Sequence, residues 1–200
     1  MSDRTKTDVV RPELSVVFRL LGLLPVLFFI AQAIHYRRID QLGQMLWMCN
    51  IGNLLLAAGL LFEQVILIRA AVLWMIPGLF VWLLYVVFAW GVFFSSTLAH
   101  VGGMIVSLIA IRKVRMNREG WLYGLAWFFV MQVLARFFTR TEFNVNVAHS
   151  IEAGWQRTFS SYWKFWTALA VLATAIMWAL GKLLWKLWPA AEPPETQAEL

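Results

Sequence analysis

The only cysteine in the chain, Cys49, and one of its three histidines, His100, lie in apolar segments long enough to cross a membrane. Each residue follows the start of its segment by five or six positions, which is about 8 Å along a helix. The two segments are predicted to run in the same direction, so we expect both side chains at one depth. A thiol beside an imidazole can act as a nucleophile with a general base. The structural alternatives are a small inert cysteine and a histidine that only hydrogen-bonds a neighbouring helix.

More polar residues are predicted at the same depth and at the same end of the bundle. Asn50 and Asn53 follow Cys49, and their amides could donate hydrogen bonds to the oxyanion of an acyl-transfer intermediate. Arg136 could bind the phosphate of a lipid headgroup, or simply extend its charge towards the headgroups. Polar groups are costly in hydrocarbon and often mark functional sites, although they also join packed helices. The other members of this group are His35, Ser95, Ser96, Thr97 and Gln132.

Six apolar segments must position these residues, and they predict an all-α, polytopic transmembrane helical bundle. Hydrophobic residues make up 61% of the chain and charged residues 14%, a composition too apolar for a water-soluble domain of 200 residues. We expect one domain over residues 1–187, because no repeat or linker divides it. The predicted spans are residues 15–35, 44–63, 65–91, 94–111, 120–138 and 163–187.

Three parts of this pattern carry local expectations. Pro77 and Gly78 predict a kink or break in the third span, and the chain after Tyr85 predicts a short interfacial turn. The Ala-Gln-Ala sequence at residues 31–33, after the first apolar stretch, is also typical of a cleavable secretory signal peptide. Residues 188–200 are rich in proline and glutamate, which predicts a disordered, solvated tail.

A short amphipathic helix is predicted over residues 150–162, in the loop after the fifth span. Its apolar positions recur on one helical face and are Ile151, Trp155, Phe159 and Tyr162. Such a helix would lie in the membrane interface and cap the polar end of the bundle, or would simply fill the loop.

Basic residues predict the orientation and exclude one class of partner. The 17 Lys and Arg residues contribute to a net charge of +6, but they lie in short loops and at helix ends, where membrane topology explains them. Nucleic-acid binding is therefore not expected, and membrane lipids are the expected partners. Eleven of these residues fall on the side of both termini and six on the other, which predicts cytoplasmic termini.

Neither a cofactor nor a metal is expected. His35, His100 and His149 are all predicted at one end of the bundle, where they could ligate a metal or a haem. They are not closely spaced in the chain, so the sequence gives this interpretation little support. A single cysteine leaves no intrachain disulfide.

Three short motifs within the middle of the chain resemble the YwaF-like bacterial integral membrane proteins. That family is similar to a eukaryotic transmembrane acyltransferase family and, more distantly, to the androgen-induced-gene-type lipid hydrolases. The motifs are Met-Cys-Asn-Ile at 48–51, Ser-Thr-Leu-Ala-His-Val-Gly-Gly at 96–103 and Asn-Val-Asn at 144–146, within residues 40–150.

The resemblance implies a protein of the bacterial inner membrane that acts on lipid acyl chains, with a nucleophile at Cys49 and a histidine at His100. Ala99 departs from the pattern, because a serine is expected before the histidine. Our leading hypothesis is an integral membrane lipid acyltransferase or acyl hydrolase with a catalytic Cys49–His100 dyad near the outer leaflet. The alternative is a non-enzymatic membrane protein, such as a small transport, assembly or lipid-binding subunit, whose polar residues only pack helices.

Overall fold

The computed structural model describes residues 14–89 and 92–191, which form an all-α fold with no β-strand in those two ranges. Short 3-10 turns cover Leu42–Leu46, Thr141–Phe143 and Val145–Val147, and a π-helical turn covers Leu98–Gly102. The predicted helical bundle is confirmed. Its helices are α1 (Val16–Leu20), α2 (Leu23–Arg38), α3 (Met48–Leu61), α4 (Val65–Ala89), α5 (Phe94–Thr97), α6 (Gly103–Val114), α7 (Gly120–Phe138) and α8 (Tyr162–Leu187).

Five helical segments of the described residues are long and apolar enough to cross a membrane, which fits an integral membrane protein. They are α1 with α2, then α4, then α5 with the π-helical turn and α6, then α7 and α8. The sixth apolar helix, α3, has 14 residues, about 21 Å of helix against a hydrocarbon core of about 30 Å. The second span therefore differs from the predicted residues 44–63. Its first residues form the 3-10 turn Leu42–Leu46 and an extended Trp47 instead of helix.

Helix α3 nevertheless connects the two ends of the bundle. At its last turn, the guanidinium of Arg19 donates to the carbonyl of Leu61 at 3.1 Å. At its first turn, the backbone N–H of Met48 donates to the side-chain oxygen of Asn146 at 2.9 Å. We call the end that contains Arg19 and Leu61 the tail end, and the end that contains Met48 and Asn146 the loop end.

The tail end also holds the α6–α7 loop and the end of α8. Arg69, near the start of α4, donates through Nε to the carbonyl of Arg115 at 2.8 Å. The next residue, Met116, donates its backbone N–H to the carbonyl of Trp188 at 2.8 Å. Both ends of the described chain therefore lie at one end of the bundle.

The start of the predicted disordered tail is ordered. Trp188 packs against the hydrophobic core, and the guanidinium carbon of Arg112 lies 5.5 Å from the centre of its ring. A half-buried aromatic ring and two backbone hydrogen bonds with Met116 fix this segment, so residues 188–190 are ordered where the sequence predicts disorder. Residues 192–200 lie outside the described residues.

Helix α4 runs without a break through Pro77, so of the predicted kink or break the break is wrong and the kink stays a prediction. It also continues past Tyr85 to Ala89, where an interfacial turn was predicted. Proline removes one backbone donor and crowds the preceding turn. Helices α3, α6 and α7 pack along α4, and such packing keeps proline-containing helices intact inside membrane bundles.

The predicted amphipathic helix over residues 150–162 is wrong. Residues 151–161 form turns, and α8 begins only at Tyr162. Gly154 has a φ of 90°, which lies in the left-handed half of backbone space and cannot continue an α-helix. The rings of Trp155 and Phe159 still lie 6.1 Å apart, because the turn that joins them brings them together without a helix.

The core is apolar towards the tail end and polar towards the loop end. Fully buried Leu56, Leu60, Ile68 and Ile111 belong to the largest hydrophobic cluster. Most of the buried polar residues lie in the loop-end halves of their helices or in the loop itself, as the sequence predicts. These residues are Gln32, Asn50, Asn53, Ser96, His100, Ser107, Gln132 and Asn146.

Candidate functional site

His100 is buried in the π-helical turn and is held by two contacts. Its Nδ1 lies 2.8 Å from the backbone carbonyl of Ser96, and because a carbonyl only accepts, Nδ1 carries the proton. The ring also stacks on Trp82 of α4, with 5.2 Å between centroids and 13° between planes. Trp82 in turn donates its indole N–H to the Ser96 hydroxyl at 2.8 Å. A neutral ring held in this way has its lone pair on Nε2.

The π-helical turn depends on Asn53 of α3. The backbone N–H of Gly103 bonds to the carbonyl of Leu98, five residues back, and not to Ala99 in the usual α-helical pattern. The Ala99 carbonyl accepts a hydrogen bond from Asn53 Nδ2 at 3.0 Å. A methyl group on Gly103 would lie 2.5 Å from the Asn53 side-chain oxygen, so only glycine admits the amide here. Asn53 therefore fixes the turn that presents His100.

Cys49 and His100 pack against neighbouring turns of α4. A methyl group on Gly78 would lie 3.4 Å from the β-carbon of Cys49, so the thiol-bearing side chain faces Gly78. Trp82, on which His100 stacks, follows Gly78 by four residues, which is one helical turn or about 6 Å. Asn53 links the two again, because the same Nδ2 donates to the Cys49 carbonyl at 3.1 Å. The predicted proximity of the two residues therefore has structural support.

Direct contact between the two reactive groups is a different matter. Both residues are described and Cys49 is half-buried, yet no hydrogen bond joins its thiol to the His100 ring. The ring uses Nδ1 on the Ser96 carbonyl, and its Nε2 has no recorded partner among the described residues. The fold therefore brings Cys49 and His100 to neighbouring turns of α4, but no hydrogen bond joins their side chains.

The two asparagines differ in their capacity to bind an oxyanion. Asn53 has two amide hydrogens, and the carbonyls of Cys49 and Ala99 use both. Among the described residues Asn50 donates once, to the carbonyl of Gln44 at 3.1 Å, which leaves one hydrogen free in that part of the chain. Of the two predicted donors, only Asn50 retains a free donor.

Asn146 and Gln132 form a buried hydrogen-bond network. The sequence did not indicate that these two residues bond to each other or to the start of α3. Asn146 receives the N–H of Met48 at 2.9 Å and donates to the carbonyl of Leu46 at 2.8 Å. Gln132 donates to the Asn146 carbonyl at 2.7 Å and accepts from the indole of Trp166 at 3.1 Å. The signal was the Asn-Val-Asn motif, because asparagine tolerates the positive φ found at Asn146. This network caps the first turn of α3, directly before Cys49.

Arg136, in the last turn of α7, contacts the loop that follows and the start of α8. One guanidinium nitrogen donates to the carbonyl of Ala148 at 2.6 Å. The guanidinium carbon lies 5.2 Å from the ring centre of Tyr162 and 5.5 Å from that of Trp163. The side chain is exposed and has no recorded contact with Cys49 or His100, so the structure does not bring the predicted headgroup ligand to the dyad.

The three histidines have separate surroundings. The ring of His35 lies 4.3 Å from that of Phe93, and His149 Nε2 lies 3.0 Å from the hydroxyl of Thr139. Within residues 14–89 and 92–191 no three His, Cys, Asp or Glu side chains converge in a way that could hold a metal ion.

Comparison with known proteins identifies no family for this chain. Comparisons with models of protein families, with curated proteins and with solved structures find no match. The resemblance to YwaF-like proteins therefore stays an expectation from short motifs, and the site rests on its own geometry.

Proposed function

We propose that the protein is an integral membrane lipid acyltransferase or acyl hydrolase in which Cys49 is the nucleophile and His100 its general base. One observation carries this proposal. His100 has its Nδ1–H anchored on a carbonyl, and its Nε2 has no partner within residues 14–89 and 92–191, beside the face of α4 against which Cys49 packs. This is how catalytic histidines are oriented, with a third group holding the far side of the ring.

The reaction would proceed through a thioester. Nε2 of His100 takes the thiol proton, and the Cys49 sulfur attacks the carbonyl carbon of a lipid ester. The free amide hydrogen of Asn50 is the donor available for the oxyanion. The ester oxygen leaves with the proton from His100, and a second lipid alcohol or water then releases the acyl group. Rotation of the Cys49 side chain about its Cα–Cβ bond, or one bridging water, would complete the first proton transfer.

Covalent capture tests this proposal. Purified protein in detergent micelles is incubated with p-nitrophenyl palmitate and followed by intact mass. We expect one acyl adduct, no adduct in Cys49→Ser, and a rate at least about 100-fold lower in His100→Gln, because general-base catalysis contributes 100-fold or more. Ser107→Ala, at a buried hydroxyl on α6, is the matched control. Equal rates in wild type and His100→Gln, with both proteins folded by circular dichroism, would contradict the dyad.

The second candidate is a non-enzymatic membrane protein, and one observation favours it. Asn53, Gln132 and Asn146 use their side chains to join separate elements of the fold, as polar groups in membrane bundles do. Absence of an adduct in the same experiment would favour this candidate.

For the location, we propose the bacterial inner membrane, with both termini in the cytoplasm and the loop end at the outer leaflet. The excess of basic residues on the side of the termini supports this orientation. In a Cys49→Ser background, a cysteine replacing exposed Glu142 should react with an impermeant maleimide in intact cells, and one replacing Asn117 should not. The reverse result would invert the topology.

A further inference from the structure

An apolar groove between α7 and α8 lies apart from Cys49 and His100. It has a volume of about 450 Å³. Its lining is mostly α8, where the small side chains of Ala170, Thr174 and Ala175 lie between Trp166 and Trp178 in the helix, and Trp121 contributes from α7. Large rings on both sides of small residues make a trough on the face of α8 that the bundle leaves uncovered.

Two cations lie where this groove meets the loop end. Lys164 precedes the groove residue Thr167 by three positions, so the two share one face of α8. The guanidinium of Arg136 lies over Trp163, whose ring lies 6.3 Å from that of Trp166. In the part of the chain that the structure describes, neither cation pairs with an acidic side chain.

We propose that this groove binds a phospholipid with an anionic headgroup. The phosphate would lie between Arg136 and Lys164, and one acyl chain would run along α8 from Trp166 to Trp178. These two residues are twelve positions apart, about 18 Å of helix against about 15 Å for one leaflet of hydrocarbon. An apolar trough with a positive mouth is complementary to this class of molecule along its whole length.

The unpaired charge favours a lipid over a second copy of the chain. Arg136 still has guanidinium donors beyond the one on Ala148, and a guanidinium binds phosphate oxygens through two parallel hydrogen bonds. Within the described part of the chain, the one hydrogen bond of Lys164 Nζ is to the hydroxyl of Ser160, at 3.0 Å. A second copy that placed its own α8 here would bring like charges together, which costs energy. The site does not depend on acyl transfer at Cys49.

Native mass spectrometry of the full chain in detergent, titrated with phosphatidylglycerol or phosphatidylcholine of matched acyl chains, tests the headgroup contact. Lys164→Gln should lower the affinity for phosphatidylglycerol about five-fold, and adding Arg136→Gln should lower it about five-fold more. Neither variant should change phosphatidylcholine binding to the same extent. Lys182→Gln is the matched control, because this cation lies near the other end of α8, 5.3 Å from the ring centre of Trp185. Equal effects of Lys164→Gln and Lys182→Gln would overturn the proposal.

The groove itself is tested with Ala175→Phe, which places a large ring in the groove at an exposed lining residue and leaves every charge in place. It should lower the binding of both lipids about ten-fold or more, while Ala179→Phe, at an exposed position outside the groove, should not. Unchanged lipid binding in Ala175→Phe would overturn the proposal. If Ala175→Phe also converted a dimer to a monomer, a second copy of the chain would be the occupant.

Discussion

Asn53→Ala is the substitution whose effect on stability follows most directly from the structure. Asn53 is fully buried and donates to the carbonyls of Cys49 and Ala99. Its removal leaves the Ala99 carbonyl of the π-helical turn without this donor in a dry interior. An unpaired buried acceptor costs about 1–3 kcal/mol, and interhelical hydrogen bonds in membranes contribute about 0.6 kcal/mol on average. We therefore expect the free energy of unfolding to fall by about 1–3 kcal/mol.

Ser107→Ala is the matched control for this measurement. Ser107 is also fully buried and polar, but its hydroxyl has no hydrogen-bond partner in the ranges that the structure describes. Its removal should change the free energy of unfolding by less than about 0.5 kcal/mol, or stabilise the protein slightly. Both variants are measured by sodium dodecyl sulfate titration in mixed micelles, with circular dichroism as the signal. A loss in Asn53→Ala no larger than that in Ser107→Ala would refute the assignment of Asn53 as the link between α3 and the π-helical turn.

Two further substitutions test the elements around the site. Gly103→Ala should destabilise the bundle by about 2 kcal/mol, because its methyl would lie 2.5 Å from the Asn53 side-chain oxygen, whereas Gly78→Ala leaves 3.4 Å to its neighbour and should cost less. The same titration measures both, and equal losses would contradict the packing. Asn146→Ala should cost about 1–2 kcal/mol by uncapping α3 and should speed hydrogen exchange at the Met48 amide. Unchanged exchange at the Met48 amide would contradict this prediction, because it would mean that the loss of the Asn146 hydrogen bond does not expose that amide.

The length and apolarity of the segments were sufficient to predict the bundle, but they did not predict where α3 begins. The sequence favoured a span from residue 44, whereas the helix starts at Met48. The start of α3 is fixed by Asn146, which accepts the N–H of Met48 from 98 residues away in the chain. A contact at that distance has no signature in local periodicity. The same limit explains the segment after Ile151, where apolar spacing suggested a helix and the positive φ of Gly154 prevents one.

The depth of the candidate site was predictable from the sequence, but the side-chain contacts that hold its residues in place were not. Counting residues from the start of each span placed Cys49 and His100 in one layer, and in the structure they pack against adjacent turns of α4. The role of Trp82 was missed because tryptophan in a membrane span usually signals an interface, and nothing in its spacing indicates that it stacks on an imidazole. The π-helical turn was also missed, since it depends on an amide donated by another helix.

Hydrogen-bonding capacity separates the two candidate functions better than the presence of polar residues does. Asn53 has both amide hydrogens committed to backbone carbonyls, and helix packing explains these two hydrogen bonds, although its buried side-chain oxygen has no partner among the described residues. Helix packing does not explain His100 in the same way, because a ring needed only to bond the Ser96 carbonyl would not also require a stacked Trp82 and an Nε2 that is unpaired among the described residues. Asn50, with one free donor and an unpaired, buried side-chain oxygen, shows a similar excess. Unused donor capacity at Asn50, next to the only cysteine of the chain, is costly in hydrocarbon unless a substrate or water meets it, and this is why we propose acyl transfer and keep helix packing alone as the second candidate.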